Sequence, residues 1–203
     1  MGDMRKSKKE LKEIKKLKLS NKRLIKKYPW IKPYNVWTGK PIDDYDYEFV
    51  WIKDDIPQGW WKCFGEMMCK EIDDELKRSH STITFQQVKE KYGRLNIYCS
   101  SNKEVDDIIT KYSIISKNVC IKCGKPDVHM IDTGWISPEC EECFSKNKYC
   151  RNKKYSDYIC DGDRKICDTY SYTKFSKDGN VDVTVDISET VERIRKKYYG
   201  TNR

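Results

Sequence analysis

The hydrophobic positions near the start of the chain follow a helical period and are separated by lysines. The apolar members of this stripe are Leu11, Ile14, Leu17, Leu24 and Ile25. The pattern predicts a basic N-terminal helix that ends near Tyr28, because the residue before Pro29 is disfavoured in the α conformation.

Three further helices are predicted by apolar residues that recur every three or four positions. One extends from about Trp60 to Arg78. Another begins at Ser101, where Glu104 stands at capping-box spacing, and its apolar face leads almost directly into Cys120. The third is short and occupies about residues 189–199.

Alternation with a period of two predicts the strands. The aromatic residues Tyr45, Tyr47, Phe49 and Trp51 alternate with polar ones, which predicts a strand with one aromatic face. Two short strands are expected on either side of Gly93, the expected positive-φ residue of their connection. A β-hairpin is predicted within residues 170–187, with its turn at residues 177–180.

Two pairs of cysteines between these elements have the spacing of a zinc site. Cys120 and Cys123 are followed, after sixteen residues, by Cys140 and Cys143. A spacing of two lets both thiolates of a pair face one ion, and the gap is long enough for a hairpin. Four thiolates fill a tetrahedral shell, so we expect a structural zinc with no open position. A pair of disulfides is the alternative, and a reducing compartment disfavours it.

Taken together, the patterns predict an α+β protein with an embedded four-cysteine zinc ribbon. Its 203 residues are enough for a moderate domain and a small module. The expected segments are a basic helical tail, an α+β domain, the zinc ribbon, and a loop with a hairpin and terminal helix. Their bounds are residues 1–27, 28–117, 118–145 and 146–203.

The positive charge is concentrated in the tail. The net charge is +9, but residues 4–27 contain twelve Lys or Arg and two Glu, which leaves about −1 for the rest. The candidate binding cations are Lys8, Lys9, Lys12, Lys15, Lys16, Lys22, Arg23, Lys26 and Lys27. They are suited to sequence-independent contacts with nucleic-acid phosphates or to an acidic groove on a protein partner. A solvated tail without a partner is the third interpretation.

Trp135, between the cysteine pairs, is a candidate contact residue for a base or partner. Packing against the neighbouring helix is the interpretation that we favour for it. An acidic cluster could instead indicate two-metal nuclease chemistry, although a solvated strand face explains it more simply. Its members are Asp43, Asp44, Asp46, Glu48, Asp54 and Asp55.

The remaining cysteines are expected to have other roles. Cys63, Cys69 and Cys99 fall in or next to predicted helices and strands, so we expect buried neutral thiols. A second metal site or a disulfide is a weaker possibility for Cys150, Cys160 and Cys167. His80 and His129 are the only histidines, which leaves little material for Ser-His or Cys-His chemistry, and no residue is assigned as catalytic.

No apolar stretch approaches the length of a membrane span, and no signal-type h-region follows the N-terminal charges. We therefore expect a cytoplasmic protein without a membrane partner.

Several short motifs resemble those of small phage and prophage proteins of low-GC bacteria. They are Lys27-Tyr28-Pro29-Trp30, Trp37-Thr38-Gly39-Lys40, Asp44-Tyr45-Asp46-Tyr47, Ile56-Pro57-Gln58-Gly59-Trp60, residues 89–95, the cysteine pairs and Gly134-Trp135-Ile136. The resemblance covers about residues 27–145 and carries no established activity. It implies a phage accessory protein in the host bacterial cytoplasm.

The expected function is to bind and inhibit or modulate a host nucleic-acid-handling complex, as an anti-CRISPR or another anti-defence inhibitor does. The expected partner is a host protein or ribonucleoprotein complex, with nucleic acid as a possible further contact through residues 4–27. A DNA- or RNA-binding regulator that uses the basic tail is the first alternative, and a metal-dependent nuclease is the second.

Overall fold

The computed structural model describes residues 7–35, 37–42, 46–50, 52–147, 154–160, 169–176 and 179–200. Its α-helices within these ranges are α1 (Lys8–Lys27), α2 (Gln58–Trp60), α3 (Glu66–Ser79), α4 (Lys103–Ser116), α5 (Glu141–Ser145) and α6 (Ser188–Tyr199). A π-helical turn, Trp61–Gly65, joins α2 to α3, and short 3-10 turns occupy Pro29–Ile31 and Tyr155–Tyr158.

The strands form three antiparallel pairs in the described part of the chain, so the predicted α+β class is confirmed. They are β1 (Thr84–Lys91) with β2 (Arg94–Ser100), β3 (His129–Asp132) with β4 (Ile136–Glu139), and β5 (Thr169–Ser176) with β6 (Gly179–Asp186). The first and third pairs are the strands of the two predicted hairpins, and residues 177 and 178 of the second predicted turn lie outside the described ranges. Gly93 has the expected positive φ of 72° at the first turn.

Helix α1 begins and ends where local chemistry dictates. The Ser7 hydroxyl accepts a hydrogen bond from the backbone of Glu10, whose carboxylate accepts one from the Ser7 backbone, so a capping box starts the helix. The helix ends at Lys27, as Pro29 predicts. Only its second half is anchored, because Asn21 and Leu24 are buried whereas Leu11 is 54% exposed.

The core lies between the α2–α3 segment, α4 and the β1–β2 hairpin. Trp60, Phe64 and Tyr112 are fully buried there, and the Phe64 and Tyr112 rings stack with centroids 5.4 Å apart. Burial of such aromatic side chains supplies much of the hydrophobic stabilisation in a chain with few aliphatic residues. This core is the support on which the cysteine pairs are held.

Helix α6 packs on the same core and also contacts the cysteine-containing region. Val191 and Ile194 are buried. Arg195 forms an ion pair with Asp127 at 2.8 Å, and the Lys197 ammonium donates to the Cys63 carbonyl at 2.7 Å. The C-terminal helix therefore connects the loop after the first cysteine pair to the π-helical turn.

The aromatic strand predicted over residues 45–51 is wrong for residues 46–50, which form an irregular turn. The Asp46 carboxylate accepts from the Glu48 backbone at 3.0 Å, Tyr47 has a φ of 65°, and the Asp54 carboxylate accepts from the Val50 backbone at 2.5 Å. Acidic side chains thus accept hydrogen bonds from backbone N–H groups that a strand would need for pairing. Residues 43–45 and 51 lie outside the described ranges.

The start of α4 is also one residue later than predicted. Asn102 rather than Ser101 is the N-cap, and its side-chain oxygen accepts from the Val105 backbone at 2.8 Å. The Ser101 hydroxyl donates instead to the Asp106 carboxylate at 2.5 Å. The predicted apolar face of α4 is otherwise confirmed, with Val105, Ile109 and Ile115 buried.

None of the helices in the described ranges is both long and apolar enough to cross a membrane.

Candidate metal centre

The four cysteines of the two pairs converge on one point. Cys120 and Cys123 lie in the turn that follows α4, and Cys140 and Cys143 lie at the start of α5. The β3–β4 hairpin between the pairs folds the chain back, as the spacing predicts. All four Sγ atoms are within 4.8 Å of one another, so the site can hold a metal ion.

The distances fit a metal better than a disulfide. A zinc ion with four thiolates at about 2.3 Å has sulfur atoms about 3.8 Å apart. The Cys123 and Cys140 Sγ atoms are 3.6 Å apart, whereas a disulfide needs about 2.05 Å. All four cysteines are free thiols. The donor set therefore matches a tetrahedral thiolate-binding ion in both composition and spacing.

The backbone around the first pair favours a thiolate. Burial opposes ionisation of Cys120, but hydrogen bonds from the backbone of Cys123, Cys140 and Lys122 outweigh it, so the pKa of the Cys120 thiol is lowered. Burial raises the pKa of Cys140 and of Cys143, whose neighbouring sulfurs also disfavour further negative charge. Without a cation, four thiolates could not share this space, and a bound metal would supply the missing positive charge.

A pair of glycines brings the first cysteine turn against the start of the core helix. The Gly59 backbone donates to the Ile121 carbonyl at 2.9 Å, and a Cβ on Gly59 would lie 2.5 Å from that oxygen and closer still to the Cys120 carbonyl. A Cβ on Gly124, whose φ is 85°, would lie 2.6 Å from the Gly59 carbonyl oxygen. Only glycine permits this approach on both sides.

Side chains and a second chain segment fix the rest of the centre. The Trp60 indole donates to the Val119 carbonyl at 2.8 Å, directly before Cys120. The Lys122 ammonium pairs with the Glu139 carboxylate at 2.6 Å, which ties the two cysteine turns together. On the far side, the Tyr155 hydroxyl donates to the Glu139 carbonyl. These contacts pack the cysteine turns against the start of the core helix and against the 3-10 turn at Tyr155.

The predicted binding residues lie elsewhere on the molecule. All nine candidate cations of α1 are exposed. Lys18, which was not among them, instead pairs with Asp46 at 2.8 Å and Glu48 at 3.2 Å, and this pairing lowers the pKa of Asp46. Trp135 is at the turn of the β3–β4 hairpin and is 64% exposed, so the favoured expectation that it packs on a helix is wrong.

The expectation of buried thiols is confirmed for Cys63 and Cys69, whereas Cys99 is only half-buried. Cys63 and Cys69 are buried, and burial raises the pKa of Cys63 to about 12 and that of Cys69 further. Burial also raises the pKa of Cys99. Cys160 is exposed, while Cys150 and Cys167 lie outside the described residues, as do Asp43 and Asp44 of the acidic cluster.

Within the described ranges, the four cysteines are the one group of three or more potential metal ligands that converge. The cysteine spacing predicts these ligands, but no sequence pattern indicates that Gly59 and Gly124 contact each other's segments. Comparisons with known protein families, with curated proteins and with solved structures give no match for this chain.

Proposed function

We propose that the four-thiolate site binds a structural zinc ion. The four sulfurs leave no position for a substrate water, and the Cys120 turn is seated on the helix backbone at Gly59. In small modules of this kind, zinc binding contributes about 10–16 kcal/mol of apparent free energy to folding. The ion would hold the β3–β4 hairpin on the core and perform no chemistry.

We further propose that the protein acts by binding, as an inhibitor or modulator of a host nucleic-acid-handling complex. The nine exposed cations of α1 support this most directly, because within the described ranges none of them forms an ion pair. Those in the second half of the helix, Lys22, Arg23, Lys26 and Lys27, are held in a fixed position, since Asn21 and Leu24 are buried and the Asn21 amide donates to the Tyr47 carbonyl at 2.9 Å. Complementary charge of this kind steers association and fixes orientation.

Direct regulation through DNA or RNA is the second candidate, and the same unpaired cations favour it. A nuclease centre on the acidic cluster has less support. Asp46 is paired with Lys18, and the Asp54 carboxylate accepts from the Val50 backbone. These carboxylates are therefore engaged in holding the turn and α1.

Affinity capture of the full-length tagged chain from a bacterial lysate tests the binding proposal. The wild type is expected to retain a complex that contains a nuclease or another nucleic-acid-processing enzyme, and to lower the activity of that complex. Charge reversal at Lys8, Lys12 and Lys15 should abolish capture. Trp37→Ala should not, because Trp37 is 92% exposed and lies ten residues beyond the end of α1.

Other outcomes would contradict the proposal. Salt-sensitive binding of plain duplex without capture of such a complex would make the protein a direct regulator. Magnesium-dependent cleavage of nucleic acid that is lost in Asp46→Ala would make it a nuclease.

A further inference from the structure

A groove of about 400 Å³ lies between α1 and the π-helical turn, and the proposed function does not specify a role for it. The residues that line it are Lys16, Leu19, Ser20, Arg23, Leu24, Lys27, Lys53, Trp61 and Glu66. Its volume falls in the range of small-ligand sites, which is about 300–1,000 Å³. Four cations face one carboxylate, so the groove is suited to an anion.

The cations of the groove are arranged along one face of α1. Lys16, Arg23 and Lys27 are separated by seven and four residues, which places them in a row on the helix. Lys16 and Arg23 have no ion-pair partner among the described residues. Lys53 is already engaged, because its ammonium donates to the Asn21 amide oxygen and lies 3.7 Å from the Asp54 carboxylate. The Lys27 ammonium lies over the Tyr28 ring, 4.9 Å from its centroid. Lys16 and Arg23 are thus the cations available to an anionic ligand.

The opposite wall supplies an aromatic surface. Trp61 is partly exposed, and its indole N–H has no acceptor among the described residues. The indole lies over Gly65, where a Cβ would be 2.6 Å from the ring atom Cδ2, so the π-helical turn and the glycine together determine where the ring sits. Single π-helical turns occur frequently at functional sites.

We propose that this groove binds one nucleotide unit of single-stranded nucleic acid. The phosphate would lie against Lys16 and Arg23, and the base would stack on Trp61, which is the combination that strand-binding proteins use without sequence preference. A duplex keeps its base faces stacked inside and offers nothing to the indole. The inference rests on the proposed function, because it takes the partner complex to be one that handles nucleic acid. It identifies single-stranded nucleic acid as the component of that complex that α1 contacts.

Titration of the purified, zinc-loaded full chain with a labelled oligothymidylate of about ten nucleotides tests the groove. Trp61→Ala should weaken binding about 5- to 150-fold, the range expected for loss of one stacked base. Trp61→Phe keeps an aromatic ring over Gly65 and should recover part of this loss. The Trp37→Ala variant serves as the aromatic control and should bind like the wild type.

The charge experiment compares Lys16→Glu/Arg23→Glu with Lys40→Glu/Lys103→Glu, which changes the net charge equally at two exposed lysines outside α1 and the groove. The groove variant should bind more weakly than the control. It should also reduce the log–log salt dependence by about 0.7, because the two cations contact one phosphate and each single-strand phosphate contact contributes about 0.7. All four substituted residues are exposed, so zinc content and thermal unfolding should be unchanged.

Wild-type affinity in both Trp61→Ala and the groove charge variant would overturn the inference. So would tighter binding of duplex than of single strand, or equal binding of an oligoglutamate peptide, which would make the groove a protein-docking site.

Failure of the groove assignment is distinguishable from failure of the proposed function. If only the assignment of the groove is wrong, the complex is still captured from the lysate but binding of the oligonucleotide does not depend on Trp61. If only the proposed function is wrong, the oligonucleotide binds but no complex is captured.

Discussion

Replacement of Gly59 by alanine tests whether the cysteine turn is seated directly on the helix backbone. The added Cβ would lie 2.5 Å from the Ile121 carbonyl oxygen and 2.6 Å from the Ile121 carbonyl carbon. Both are backbone atoms of the turn that carries Cys120 and Cys123, so no side-chain rotation can relieve the overlap. Either the turn or the start of α2 must move.

Two contributions are expected to lower the free energy of unfolding, and the higher helix propensity of alanine partly offsets them. Overpacking of a well-packed contact costs about 1–3 kcal/mol. Displacement of the turn also breaks the 2.9 Å hydrogen bond from Gly59 to Ile121, and an unsatisfied buried group costs about 1–3 kcal/mol. The intrinsic preference of a helix for alanine over glycine returns about 1 kcal/mol. We therefore expect Gly59→Ala to lower the free energy of unfolding by about 1–5 kcal/mol.

Urea unfolding of the zinc-loaded protein, followed by tryptophan fluorescence, measures this change. Gln58→Ala is the matched control, because Gln58 is exposed one position earlier in the same helix and should change stability by less than about 0.5 kcal/mol. A Gly59→Ala variant that is as stable as the wild type, or more stable, would refute the proposed close contact between Gly59 and the backbone of the cysteine turn. Helix propensity alone would produce that result.

Three further predictions follow from the same contacts. Trp60→Phe should lower the free energy of unfolding by about 1–3 kcal/mol, measured by urea denaturation, because the buried Val119 carbonyl loses its indole donor. Alkylation of the native protein at pH 8 should modify Cys160 and spare Cys63, whose pKa burial raises to about 12, as peptide mass analysis would show. An NMR titration should place the pKa of Asp46 below its ordinary 3.8. The stability that the Lys18 pair contributes should thus be present above that pH and be lost as the pH falls through the lowered pKa. Lys18→Ala should raise the pKa of Asp46 toward its ordinary value, while the hydrogen bond from the Glu48 backbone still lowers it.

The sequence predicted those features whose cause is local. The cysteine pairs could be assigned because two residues within one turn face the same ion whatever surrounds them. Helix α4 and the hairpin turn at Gly93 were predicted for the same reason, since their periodicity and backbone requirements lie within a few residues.

The failures arose where side chains compete for the backbone or where distant segments meet. The Asp46 and Asp54 carboxylates accept hydrogen bonds from backbone N–H groups, so residues 46–50 form a turn although their alternating pattern is typical of a strand. The seating of Ile121 on Gly59 and the groove between Arg23 and Trp61 join residues far apart in the chain. No local pattern carries that information.

The metal content of the full-length protein, purified without added metal and without chelator, tests the central claim most directly. Elemental analysis by mass spectrometry should find one zinc ion per chain, and Cys123→Ser or Cys140→Ser should lower that content sharply, because each removes one of the four thiolates. A well-folded, monodisperse protein that contains no zinc would contradict the account.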